Sequence, residues 1–350
     1  MALFSRIHTQ YLSWSQNTPL PADASSVFQT WHQYDLDTER WIQIVADKTQ
    51  TGNDSPPTTA KASKFVIATW NIDFSSALPG PRIAAILSHI LKQTRPPDII
   101  FFQEVSLVAL KFLLDDSRIR ESWFSSEAGA ANWDGQSFAT MTLLAKSRFA
   151  TTQRDAAAEK AVLGPVWRVQ YPTRFGRDAL CCDIFIPSSH VDSVAPRRVR
   201  LINVHLDSLP IQPSHRPRQI STLAALLRSA GAGLVAGDFN PVLPEDASLV
   251  EDSGLVDAWV ALRGQGPGHT WGIDGKQPFP PIRLDKVALL GLDVQNIEVM
   301  HPDVICMSRS SDAESTSDQQ HQHRDVNELV PWSDHSGLKC SFGVVNSIKA

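Results

Sequence analysis

Acidic, amide and imidazole side chains recur in this chain at one kind of place, the end of a short apolar run. Asn71 and Asp73 follow Phe65-Val66-Ile67-Ala68-Thr69-Trp70, and Glu104 follows Ile99-Ile100-Phe101-Phe102-Gln103. His205 and Asp207 follow Leu201-Ile202-Asn203-Val204, and Asp238 and Asn240 follow Leu234-Val235-Ala236-Gly237. A short apolar run reads as a buried strand, and any chain turns polar where it leaves a core. One such residue is therefore uninformative. Repeated placements are not, because strand ends on one edge of a sheet converge.

The chemistry open to such a set is cation and phosphate binding. Magnesium prefers oxygen ligands and commonly takes only one or two carboxylates from a protein, with water and substrate phosphate completing its shell. Glu104 fits that sparing role. The four cysteines, Cys181, Cys182, Cys306 and Cys340, show no Cys-x-x-Cys spacing. Asp334-His335 alone is no zinc motif, so a zinc centre is not expected. The expected ion is Mg2+, with Mn2+ as its substitute.

The elements that must position these residues alternate at first. Strand patterns at 64–70 and 98–103 are each followed by a helical one. The first helix has Pro81 in its opening turn and Ile83, Ile86, Leu87, Ile90 and Leu91 on one face. The second carries Leu107, Leu110, Leu113 and Leu114. Further strands are predicted at 138–145, 180–186, 200–204, 233–236, 284–290 and 338–345, with a helix over 215–229. Many strands and few helices favour two packed sheets flanked by helices over a doubly wound parallel sheet.

Outside this body, residues 1–62 read as an N-terminal extension and linker. It contains Trp14, Trp31 and Trp41, which are expected to dock on the main body, and a Thr/Ser/Pro-rich run from Thr49 to Ala62. Residues 63–346 form the expected catalytic domain. Within it, 308–328 is dense in Ser, Asp, Gln and His and reads as a mobile loop.

Composition narrows the partners. A formal charge of −5 over 350 residues excludes a generally basic, nucleic-acid-coating surface. No apolar run reaches the ~18 residues of a membrane span, and the first twenty residues lack the apolar core of a secretory signal. An intracellular setting, nucleus or cytoplasm, is expected.

Five segments together carry a specific resemblance. Ala68-Thr69-Trp70-Asn71-Ile72-Asp73, Phe102-Gln103-Glu104-Val105, Asn203-Val204-His205-Leu206-Asp207-Ser208, Ala236-Gly237-Asp238-Phe239-Asn240 and Ser333-Asp334-His335-Ser336-Gly337-Leu338 occur in the order found in the endonuclease/exonuclease/phosphatase superfamily. Asp257-Ala258-Trp259, His269-Thr270-Trp271 and Leu284-Asp285-Lys286 add a likeness to its tyrosyl-DNA phosphodiesterase 2 branch. The resemblance spans about residues 64 to 343.

It implies an α/β (α+β) fold, a four-layered α/β/β/α sandwich of two mixed sheets flanked by helices. It also implies a magnesium-dependent phosphodiesterase acting on a phosphodiester, such as a 5′-phosphotyrosyl or other blocked DNA end. On matching positions, Glu104 binds the metal, with Asp73 and Asn71 completing its setting. Asp238 orients or deprotonates the attacking water. Asn240, His205 and His335 donate hydrogen bonds to phosphate oxygens, and Asp334 holds His335. Arg177 and Trp271 contact substrate. Asp207 and Asp285 suit a structural role as well as a catalytic one.

Three departures bear on the substrate. Pro241-Val242-Leu243 follows Asn240 where the branch has Leu-Arg-Asp, Phe74 replaces a glycine, and Lys286 replaces an arginine. A small-molecule phosphoesterase of the same superfamily and a catalytically silent binding module are the alternatives.

Overall fold

A computed structural model describes residues 26–44, 64–152, 160–187, 196–307 and 328–344. The strands are β1 (Ser26–Gln29), β2 (His32–Asp35), β3 (Arg40–Gln43), β4 (Lys64–Asn71), β5 (Ile99–Ser106), β6 (Trp123–Ser125), β7 (Phe138–Ala145), β8 (Phe149–Ala150), β9 (Ala161–Gln170), β10 (Asp178–Ile186), β11 (Arg197–His205), β12 (Gly233–Asp238), β13 (Val256–Asp257), β14 (Asp285–Leu290), β15 (Leu292–Met300), β16 (Val304–Met307), β17 (Glu328–Pro331) and β18 (Gly337–Val344). The helices are α1 (Pro79–Leu91), α2 (Leu107–Asp115), α3 (Ser117–Ser122), α4 (Arg216–Ala230), α5 (Leu249–Asp252) and α6 (Ala258–Arg263).

Two eight-stranded sheets result. One runs β1-β9-β10-β11-β12-β14-β13, with β8 on β9, and the other β15-β18-β4-β5-β7-β6-β2-β3. Both are mixed: β4/β5 and β11/β12 are parallel, and their other neighbours are antiparallel.

Period-two alternation explains the layering, since successive strand side chains face opposite ways. Ile99 and Phe101 join Leu201, Leu234 and Ala236 in the core between the sheets. Ile100 and Phe102 face outward onto Ile83, Ile86, Ile90, Leu110 and Leu113 of α1 and α2. Ile202 and Val235 face the other way, onto Ile220, Leu223 and Leu227 of α4. Strands apolar on both faces thus stand between two helical layers, giving the α/β/β/α sandwich.

The boundary at residue 62 needs correction. β1 pairs with β9, β2 pairs with β6, and Trp31 is buried in the inter-sheet core with its indole N–H on the Gly164 carbonyl at 3.0 Å. Trp41 donates to the Leu114 carbonyl at 3.1 Å. Residues 26–44 therefore belong to the sheets. Trp14, the 49–62 linker and nearly all of the 308–328 loop lie outside the described residues.

Candidate active site

The two parallel pairs end at the same edge of the sandwich. Asn71 closes β4, and Glu104 lies near the end of β5. His205 closes β11 and Asp238 closes β12, opposite one another in register. A buried amide network fixes the spacing of the two sheets beneath them. Gln103 donates to Asn203 at 2.8 Å and to Thr69 at 3.0 Å, while Asn203 donates to the carbonyls of Phe102 and Met141 at 3.2 and 2.9 Å.

Local backbone then aims each side chain. The β5–β7 register shifts between Phe102 and Val105, and Glu104 takes φ 58°. Asp73 and Asn240 have φ 53° and 47°. Left-handed backbone costs a non-glycine residue ~1–2 kcal/mol, and such strain clusters where a side chain must point somewhere specific. Gly237, at φ 138°, lets β12 lie against β11, since a Cβ there would sit 2.0 Å from the Val204 carbonyl oxygen.

Asn71 is the central link. Its Nδ2 donates to Glu104 Oε1 at 3.2 Å and to Asp238 Oδ2 at 3.1 Å. The Phe74 amide donates to the other Glu104 oxygen at 3.0 Å. His205 Nε2 stands 3.4 Å from Asp238 and 3.8 Å from Glu104, and His335 Nε2 stands 3.9 Å from Asp238. The Asn240 amide donates to Asp238 Oδ1 at 2.9 Å, and its side chain donates to the Leu206 carbonyl at 3.2 Å.

Charge is divided unevenly between the imidazoles. Burial, aided by Arg177 and His335, pushes His205 well below the ordinary value, so it is neutral. Burial alone would also depress His335, but Asp285, Asp238 and Asp334 reverse that and hold it well above, so it is cationic. Asp238 is pushed up to about 7, chiefly by burial, with His335 opposing.

One site assignment changes. Asp285, not Asp334, holds His335: His335 Nδ1 lies 2.8 Å from Asp285 Oδ2. Asp334 is exposed and accepts the Trp271 indole N–H at 3.0 Å. Asp73, expected beside the metal, is engaged locally. Its carboxylate accepts the amide and hydroxyl of Ser75 at 3.1 and 2.7 Å and the hydroxyl of Ser76, and lies 3.4 Å from buried Arg82.

Trp271 is bridged to His335 and Ile282 through its backbone. Arg177 lines one cavity with Glu104 and His205, its guanidinium 4.9 Å from the Phe138 ring centre. Phe74 stacks on the same ring at 4.2 Å. The role of Phe138 went unread in the sequence, where it opens an ordinary apolar strand. Lys286 turns to Asp257, at 3.3 Å.

Among the described residues no three His, Cys, Asp or Glu side chains cluster as metal ligands. The donor set suits a hard cation nevertheless. Glu104 presents a partly exposed carboxylate whose oxygens each accept a single hydrogen bond within the site, and one carboxylate with water is a common arrangement for such ions.

The sequence profile of the Endonuclease/Exonuclease/phosphatase family matches residues 68–335, from the strand that ends in Asn71 to His335 itself. The chain belongs to that family. Family members generally depend on a divalent metal, and the enzyme class is phosphoric-ester hydrolase. No curated protein sequence matches the chain.

Several solved structures share the family fold. D. rerio TDP2 complexed with single strand DNA product superposes with TM-score 0.53 at 22% identity, covering 80% of this chain and 99% of that one. C. elegans TDP2 gives 0.54 at 20%, covering 80% and 75%. A Bacteroides thetaiotaomicron family protein gives 0.55 at 13%, covering 82% and 100%. No helix among the described residues is long and apolar enough to cross a membrane.

Proposed function

We propose that this protein is a magnesium-dependent phosphodiesterase that cleaves a blocked DNA 5′ end, with a 5′-phosphotyrosyl link as the leading substrate. The observation that carries the reading is Asn71 joining the Glu104 and Asp238 carboxylates from one amide nitrogen. That arrangement sets a cation ligand and a proton acceptor side by side. The DNA-product complex of a protein with the same fold supports a nucleic-acid substrate, as do the aromatic and cationic side chains at the mouth.

Glu104 would hold the ion, which when bound neutralises charge on the phosphoryl oxygens. Asp238 takes the proton of the attacking water as the new O–P bond forms opposite the leaving oxygen. His335, cationic on Asp285, and neutral His205 donate to the non-bridging oxygens, with Asn240 beside them. Fixed donors aimed at developing charge are each worth on the order of a hundredfold in rate. The free thiols of Cys181, Cys182, Cys306 and Cys340 suit the reducing interior of a cell.

A small-molecule phosphoester is the second reading, favoured by the −5 charge and by Val242 standing where the tyrosyl-DNA branch has an arginine. A panel of 5′-tyrosyl oligonucleotide, abasic-site DNA and bis-p-nitrophenyl phosphate decides between them. The proposal expects the highest kcat/KM on the tyrosyl oligonucleotide, leaving a 5′-phosphate. Turnover of the small ester alone favours the second reading, and no turnover at all favours a silent module.

A further inference from the structure

Arg177 is held from two sides by one dipeptide. Its guanidinium donates to the Ser208 hydroxyl at 3.2 Å. Its backbone N–H donates to the Thr173 hydroxyl oxygen at 3.1 Å, as does that of Phe175, also at 3.1 Å. Thr173 in turn donates its only hydroxyl proton to Asp207 Oδ1 at 2.5 Å, and Asp207 Oδ2 accepts the Arg174 amide at 3.0 Å. A hydroxyl has one proton and two lone pairs, so Thr173 is fully used: it gives to the carboxylate and receives from the turn.

The carboxylate is itself anchored. Asp207 is buried, its amide donates to Gln219 Oε1 at 3.2 Å, and its carbonyl accepts Arg216 at 2.7 Å, both from α4. Burial would raise its pKa, but His215, whose Nδ1 stands 3.5 Å away, and the hydrogen bonds from Thr173 and Arg174 hold the group below the ordinary carboxylate value, so it stays an acceptor. Arg177 lines a cavity together with Glu104, His205 and Phe138, and its Nε is buried without a hydrogen-bond partner among the described residues.

We infer that Asp207 and Thr173 are positioning residues that set the Arg177 guanidinium against the phosphoryl site. The inference rests on the proposed phosphodiesterase reading, in which Arg177 meets substrate. Neither residue touches the substrate; each acts by fixing the 173–177 turn. A displacement of about 1 Å in a positioned group can cost a hundredfold in rate, which sets the scale expected when the turn is released.

The full chain carries the test in two arms. In the kinetic arm, Thr173→Val loses at least tenfold in kcat/KM on bis-p-nitrophenyl phosphate, Thr173→Ser restores it to within about threefold, and Thr173→Val with Arg177→Ala is no worse than Arg177→Ala alone. Additive losses, or a wild-type Thr173→Val beside an impaired Arg177→Ala, overturn the inference and leave the phosphodiesterase reading intact. An Arg177→Ala variant with wild-type kinetics overturns it too.

The second arm needs no turnover, so it decides the positioning claim even if the phosphodiesterase reading fails. The Nε–H resonance of Arg177, identified by its loss in Arg177→Lys, is expected to be shifted upfield by the Phe138 ring in wild type and Thr173→Ser. It is expected to move toward the free-arginine position in Thr173→Val and in Asp207→Asn. An unmoved resonance in both of those variants overturns the inference.

Discussion

His335 Nδ1 lies 2.8 Å from Asp285 Oδ2, across fifty residues of sequence. The pair exists because β14 runs antiparallel to β12, which puts Asp285 opposite Asp238 in register. The His335 loop is then tied down by Ser333, whose hydroxyl donates to the Asn71 carbonyl at 2.6 Å, and by the Trp70 indole, which donates to the His335 carbonyl at 3.0 Å.

Asp285→Asn is therefore expected to lower kcat by about 10²–10⁴, the range over which an acid or base loses its effect when its charge and tautomer are no longer held. Asp334→Ala is expected to stay within about tenfold of wild type, because that carboxylate serves the Trp271 indole. Steady-state kinetics of the two variants check this. Equal losses would return the pairing role to Asp334.

Much of this candidate site is legible in the sequence. Glu104, His205, Asp238 and Asn240 announce themselves by ending apolar strands, and the motif order supplies the fold. The Asp285–His335 pair was not legible, because it depends on which strand neighbours β12. Asp334, adjacent to His335 in sequence, looked like the partner, but its carboxylate turns to the Trp271 indole. The contacts of Asp73 with Ser75, Ser76 and Arg82 were equally hidden, since they depend on how the turn after β4 folds.

The missed strands have their own reasons. β1, β2 and β3 are four residues each with few apolar side chains, and the pairings that join them to the sheets, β1 with β9 and β2 with β6, span long stretches of chain. β9 carries Gly164-Pro165 in its middle, which reads as a break.

Arg82 is expected to be the structural support of the turn that carries Asn71 and Asp73. It is buried and donates to the carbonyls of Ile72, Asp73, Ser76 and Pro331 at 2.6–3.3 Å. Removing one member of a buried ion pair costs about 3–5 kcal/mol. Arg82→Met is expected to lose stability on that scale in chemical denaturation, and a loss under about 1 kcal/mol would contradict the assignment.

The raised Asp238 carboxyl sets the pH dependence. A carboxyl pushed up to about 7 by burial is protonated below that pH and cannot accept the proton of water. The log of kcat/KM is thus expected to rise with pH and level off above about 7. A flat profile from pH 5 to pH 8 would be incompatible with Asp238 as the base.

In the proposed reaction Glu104 and Asp238 serve one phosphoryl group, and Glu104 would hold the divalent ion that neutralises its charge. Initial rates of bis-p-nitrophenyl phosphate hydrolysis, with Mg2+ and with EDTA, test it most directly in wild type, Glu104→Ala and Asp238→Ala. Wild type is expected to show Mg2+-dependent turnover, abolished by EDTA, and both variants at least a hundredfold loss. Metal-independent turnover, or turnover that survives in either variant, would contradict it.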